Sequence, residues 1–408
     1  MSAFPPQKQF LLLGFFAVGS YEMTRLELPI GLLFSTTGSY GRVAHTQLNG
    51  AQLACDEINA DPDAAVTFRP VHIDPASDLH NYAPAVQSMF DQGIRHVCGC
   101  YTSSSRKEVI PLFEKHDALL WYPTHYEGFE SSTNVIYTGA APNHHMSPLI
   151  DFLCARFGRR AYCIGSNYIW GWESNRVMRE GLQKRRGEVL AERYLPVGET
   201  DLTAIIEEIL ETEPDFVFNA LIGDSSYAFF RAFRETCKAR GIEQTKRFPI
   251  ASCNLSEPEL RAIGPVGSDG QISSSVYFSS LAGACNTRFV EAYGKAFPEG
   301  PVVSAEAEAA YIAIHMLAKS IADAKTSEVS AVLKAAAGQV FDAPQGRVTI
   351  DPETYHASLT PRIGLSRTDF EFDILLEAPE PVAADPYLVS SATAFEPAQR
   401  RKHVRVVS

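Results

Sequence analysis

The chain is 408 residues long, with 45% hydrophobic and 21% charged residues. That balance belongs to a soluble globular protein with room for two or three domains, and it excludes a chain disordered throughout. Its 36 Lys+Arg against 48 Asp+Glu give a formal net charge of -12, which phosphate backbones would repel, so direct nucleic-acid binding is excluded too.

The first residues support two readings. Lys8 precedes the apolar run Phe10–Ala17 and the small pair Val18-Gly19, the layout of a short signal peptide and too short to span a bilayer. Alternatively, translation starts at Met23, which leads straight into the first strand. The extension is taken as residues 1–25.

From there strands and helices alternate. Leu28–Phe34 is a continuous apolar run, as expected of a strand buried on both faces. A polar turn, Ser35–Gly38, follows. Leu48, Ala51, Ala54, Cys55 and Ile58 then recur at helical spacing over 43–60. Strands are predicted at 66–73, 94–100 and 118–122, with helices at 82–92 and 105–116. The theme restarts after Ala141: strands at 160–165, 189–194, 216–221 and 248–251, and helices at 173–186, 202–212 and 225–240. A long helix is predicted over 305–324, and a β-rich segment over 346–376. Strand–helix alternation predicts an α/β protein with parallel sheets, and two such runs predict two similar lobes. From about 394 the chain becomes a basic tail with Arg400, Arg401, Lys402 and Arg405, read as a solvated terminus.

The eight cysteines lie mostly in apolar strand or helix patterns, with no Cys-x-x-Cys. They read as buried thiols rather than a disulfide or zinc framework, with Cys98 and Cys100 on one strand face. The nucleotide-binding, zinc-protease and hydrolase signatures are absent. The 11 histidines do not cluster at metal-ligand spacing, and no cofactor or metal is expected.

Ligands of open α/β sheets bind outside the carboxyl ends of the strands. Those exits read Ser35–Gly38, Tyr101–Ser105, Trp121–Gly128 and Ser166–Trp172. They are rich in hydroxyls and aromatics and poor in charge, which suits a small neutral polar ligand such as an amide. A carboxylate or phosphate site would more often present Arg or Lys. Ser105-Arg-Lys-Glu108 also fits a helix capping box.

The segments Gly99–Lys107, Tyr122–Glu130 and Ile164–Ile169, with Ile30–Gly38, Ala343–Gly346, Pro379–Pro381 and Asp385–Tyr387, resemble the amide sensors of bacterial aliphatic amidase operons, the AmiC family. The resemblance runs from about Leu28 to Tyr387. It implies a type I periplasmic-binding-protein fold: two Rossmann-like lobes with a hinge, three crossovers and an interlobe ligand cleft. The N-lobe would comprise 26–141 plus 275–343, the C-lobe 142–274 plus 344–388, and 389–408 a C-terminal tail.

By the same resemblance the ligand contacts fall on Tyr101, Ser103, Tyr122, Thr124 and Tyr168. They also include Trp170, where the family usually carries Tyr. The implied protein is a non-enzymatic, cytoplasmic amide sensor that restrains amidase expression through an antiterminator partner. A related branch, the urea and short-chain amide receptors of ABC importers, is exported and works with a permease. Val197–Asp201 and Gly223–Ser225 lean towards that branch, as does the signal-like start. The reading leaves a homo-oligomer open. Two further alternatives remain. One is an amino-acid ligand, whose ammonium would need Asp224, Glu306 or Glu308. The other is an amidase with Cys100 as nucleophile.

Overall fold

The computed structural model describes residues 25–389. The N-terminal extension up to residue 24 and the tail from residue 390 lie outside it.

Five short apolar runs make the first sheet: β1 (Leu26–Leu33), β2 (Val66–Ile73), β3 (His96–Gly99), β4 (Leu119–Tyr122) and β5 (Val135–Tyr137), in the order β2-β1-β3-β4-β5. Every pairing is parallel, so both faces must be covered by helices. β1 shows why its run is continuous. Ile30, Leu32 and Phe34 enter one core and Leu33 the opposite one. Helices α1 (Gly41–Ala60), α2 (Tyr82–Asp91) and α3 (Ser103–Lys115) link these strands.

A second sheet has seven strands. β6 (Arg160–Ser166), β7 (Glu188–Leu195), β8 (Phe216–Ala220), β9 (Ile250–Ser252) and β10 (Ile272–Ser275) pair in parallel, and β14 (Arg362–Ser366) and β15 (Phe372–Glu377) add antiparallel edges. Its helices are α4 (Pro142–Arg156), α5 (Ile169–Lys184), α6 (Thr203–Thr212), α7 (Gly223–Ala239), α8 (Gln244–Arg247) and α9 (Glu257–Ile263). Helices α10 (Ala284–Ala296), α11 (Ala305–Ala324) and α12 (Val329–Ala336) return to the first lobe. The chain passes between the sheets between Tyr137 and Pro142, between Ser275 and Ala284, and between Ser358 and Arg362.

Four differences from the sequence reading have physical causes. The expected C-lobe segment 344–388 divides. β11 (Val340–Ala343), β12 (Gly346–Ile350) and β13 (Ala357–Ser358) form a small antiparallel sheet, and Val348, Ile350, Ala357 and Leu359 pack in the first sheet's core. Only β14 and β15 join the second sheet. α3 begins at Ser103, not Ser105: Thr102 caps it, its Oγ1 accepting from Ser105 N at 3.2 Å. The expected capping box at Ser105–Glu108 is therefore inside the helix. α5 begins at Ile169, so Trp170 lies in a first helical turn rather than on a loop. Cys98 and Cys100 enter opposite cores, because β3 ends at Gly99 and Cys100 takes a left-handed φ of 68°, which breaks the alternation of a strand. All eight cysteines are free.

The segments that escaped prediction lacked a clean period. α4 carries Pro142 and Pro148 and is buried on nearly all sides, so no amphipathic stripe exists to be read. Among the described residues no helix is long and apolar enough to cross a membrane.

Candidate functional site

The carboxyl ends of β3, β4, β6 and β8 meet between the lobes. Tyr101, Ser103, Thr124 and His125 come from the first lobe, and Tyr168, Trp170 and Ile222 from the second. Together they enclose a cavity of about 10 Å³, space on the scale of one water molecule. The lobes are closed on it. His125 of the first lobe meets Trp170 of the second edge-on, with ring centroids 4.9 Å apart, while Tyr40 packs on Tyr101 within the first lobe at 5.4 Å. Tyr40, Val43 and Ala44 from the first lobe share one core with Trp170, Ala220 and Ile222.

Five of the six residues expected at the site therefore line one cavity. Tyr122 does not. Its ring stands behind the wall, and its hydroxyl donates to the Tyr101 carbonyl at 3.1 Å. His125 and Ile222 are additions. His125 sat within the Tyr122–Glu130 segment and could have been chosen as a strand-exit side chain. Nothing in the sequence marks Ile222.

The hydroxyls are not free rotors. Ser103 Oγ donates to Glu127 Oε2, and Arg106 Nη2 holds Glu127 Oε1 at 3.0 Å. Arg106 also bonds Glu130 through Nε at 2.7 Å and lies between the rings of Tyr122 and Tyr126, 4.7 and 4.8 Å from their centroids. Burial alone would raise Glu130, but Arg106 and Lys107 outweigh it and bring that carboxyl down to about 2. This buried charged assembly is satisfied throughout, as burial requires. Thr124 Oγ1 donates to the Cys100 carbonyl at 3.1 Å and accepts from Gln47 Nε2 at 2.8 Å. Both hydroxyl protons are thus spent on the protein, and the lone pairs left over can accept from a ligand.

Donors are present as well. Burial holds the phenols of Tyr101 and Tyr168 well above the usual tyrosine range, so both keep their protons. Trp170 Nε1 is buried without a hydrogen-bond partner among the described residues. α5 and α7, whose first turns border the cleft, carry no side-chain cap. The cavity lining contains no Lys or Arg.

A second cavity, of about 20 Å³, adjoins the first and shares His125 with it. Gly139, Ala140, Ser274, Ser275 and Val276 from two of the crossings border it, with His145, Cys253 and Glu306. His125 Nδ1 lies 3.2 Å from Glu306 Oε1. The other carboxylates considered for an ammonium are elsewhere. Asp224 is exposed, and Glu308 is tied to Gln345 through its backbone N–H at 3.1 Å and side chain at 2.8 Å. Among the described residues no group of three His, Cys, Asp or Glu side chains could hold a metal ion.

A two-lobed fold with its site at the strand ends is a specific architecture, and the family model of the periplasmic binding protein domain matches residues 28–393. The chain belongs to this family of binding proteins. Among curated binding proteins it is 23% identical over 303 residues to the Leu/Ile/Val-binding protein homolog 6 of Brucella abortus (strain 2308), covering 72% of this chain and 75% of that protein. A 122-residue stretch is 29% identical to the limonene hydroxylase of Geobacillus stearothermophilus, 30% of this chain but 22% of that protein. So short a span transfers no activity.

Solved binding proteins share the fold. A solute binding protein of an ABC transporter from Rhodopseudomonas palustris HaA2, in complex with p-hydroxybenzoic acid, superposes with TM-score 0.76 at 19% identity, covering 85% of this chain and 95% of that one. The leucine binding protein LivK of Thermotoga maritima MSB8 gives 0.73 at 15% identity, covering 86% and 98%. The match to the type I periplasmic-binding-protein fold is shown by these structures. The finer resemblance to amide sensors is not reached by any of these relatives.

Proposed function

We propose that this protein is a solute receptor that closes its lobes on the neutral amide or urea group of a small ligand and presents the closed complex to an ABC-type permease. One observation carries the ligand class. The interlobe cavity is very small and free of cationic side chains, and its Ser103 and Thr124 oxygens are left as acceptors. An NH₂ group satisfies such acceptors, while the amide carbonyl takes protons from Trp170 Nε1 or the tyrosine phenols. Aromatic acids, with which four structural neighbours are in complex, would bring a carboxylate to a site with no arginine or lysine to meet it.

Binding works by differential affinity. A ligand touching both lobes stabilises the closed state by whatever it gains there and not in the open one. Catalysis finds no support at Cys100. Its thiol is fully buried and burial pushes it up to about 12, so almost no thiolate exists at neutral pH. A receptor role carries with it export from the cytoplasm. The regulatory reading shares the binding step and replaces the permease with an antiterminator partner. The motifs at Gly99–Lys107 and Tyr122–Glu130 favour it.

Calorimetry of the full chain against acetamide, butyramide, urea, leucine and 4-hydroxybenzoate tests the ligand class. Saturable binding of a short amide or urea is expected. Binding of leucine or 4-hydroxybenzoate, with no amide and no urea bound, would overturn it.

A further inference from the structure

The second cavity holds groups that a short neutral amide in the first cavity leaves unanswered. Glu306 is only 4% exposed, yet its Oε2 has no hydrogen-bond partner among the described residues. Both ring nitrogens of His145, which is fully buried on the same wall, also lack partners. Burial holds His145 well below the usual histidine range, so its ring is neutral and offers one donor and one acceptor. Glu306 stands in the first turn of α11, where acidic residues are common. A helix-end acid, however, normally faces water, and this one is buried in the wall of a cavity. No Lys or Arg lines that cavity. His125 Nδ1 lies 3.2 Å from the other carboxylate oxygen. A buried carboxylate oxygen without a donor is costly, and what it lacks is an N–H.

We infer that the second cavity is a subsite for a donor nitrogen at the far end of the ligand, held by Glu306 Oε2 and His145, so that the preferred substrates are short amides bearing an amino group. This rests on the amide reading of the first cavity and extends it past His125. The ammonium of such a ligand fills the Glu306 side, and its amide end meets Ser103 and Thr124. A free amino acid fits less well. Its carboxylate would face two hydroxyls whose protons are already given to Glu127 and the Cys100 carbonyl.

The test compares glycinamide with propionamide, which have the same heavy-atom skeleton, by calorimetry on the full chain. At a pH where glycinamide is protonated, the wild-type protein is expected to prefer it at least tenfold. That preference should vanish in Glu306→Gln, and also in the wild type at a pH above the amine's own pKa. The second measurement needs no variant and so stands even if Glu306→Gln fails to fold. Propionamide binding as well as or better than glycinamide would overturn the subsite and leave the amide reading intact. A preference that survives both Glu306→Gln and amine deprotonation would overturn it too. Binding of neither compound would overturn the subsite, and the amide reading as well where acetamide and urea also fail to bind.

Discussion

At the scale of single residues, the site is built from hydroxyls whose direction is set by their neighbours. Ser103 and Thr124 each give their proton to a buried protein acceptor, which turns two adaptable groups into fixed acceptors. Removing either oxygen leaves a ligand N–H unpaired in an enclosed cavity, at about 1–3 kcal/mol. Ser103→Ala and Thr124→Val are therefore each expected to weaken amide binding roughly ten- to a hundredfold. Calorimetry of each variant checks this, and an unchanged affinity would remove that oxygen from the site. Trp170 acts by volume as well as by its N–H. Its indole closes the cavity against His125, and a tyrosine there would leave more room.

At the scale of elements, the first lobe depends on α1 and α11 lying unusually close. A Cβ on Gly50 would sit 2.1 Å from the carbonyl oxygen of Ala307, so only glycine lets the two helices meet. Ala307 follows Glu306, so this contact also fixes the first turn that carries the second cavity's carboxylate. Gly50→Val is expected to lower stability by about 1–3 kcal/mol through overpacking, read as a lowered melting temperature. An unchanged melt would mean that α11 can retreat freely. α3 makes a related use of backbone. Thr102 caps its first turn, which frees Ser103 to face the cleft instead of serving the helix.

At the scale of the whole molecule, the closed arrangement rests on close backbone approach between the lobes. Gly223 opens α7 with φ +56°, and a Cβ there would lie 2.1 Å from the carbonyl oxygen of Ser39 in the opposite lobe. Gly223→Ala therefore obstructs the closed state as well as straining the backbone. A tenfold or greater loss of ligand affinity is expected, and small-angle X-ray scattering should show a ligand-induced compaction in the wild type that the variant lacks. Full compaction in the variant would contradict it.

Stability also depends on pH through two acids outside the ligand cavities. Burial lifts Glu257 and Glu308 to about 7, above the unfolded glutamate value of about 4.3. The native state thus binds these protons more tightly than the unfolded chain does. Each group contributes stability that is fully present below the unfolded value and is lost as pH rises through 7, on the order of 3 kcal/mol. Thermal melts from pH 8 down to pH 5 should show this gain, and Glu308→Gln should flatten the slope. A variant with the same slope as the wild type would exclude Glu308 as its source.

What the sequence determined by itself follows from local chemistry. Apolar runs such as Leu28–Phe34 can only be strands covered on both faces, and their alternation with helical periods dictates parallel sheets in two lobes. Strand exits loaded with hydroxyls and aromatics marked the segments Tyr101–Ser105, Trp121–Gly128 and Ser166–Trp172, and the resemblance to amide sensors singled out Tyr101, Ser103, Thr124, Tyr168 and Trp170 within them. The tertiary structure decided what depends on contacts between distant segments. It took Tyr122 behind the wall, gave residues 346–359 to the first lobe, and brought Ile222, Gln47 and Glu306 to the cleft from positions no period marks. The reason is physical. A helix or strand pattern reports which face is buried, but which hydroxyl keeps its proton, and which carboxylate is left without a donor, is settled only when the two lobes close on each other.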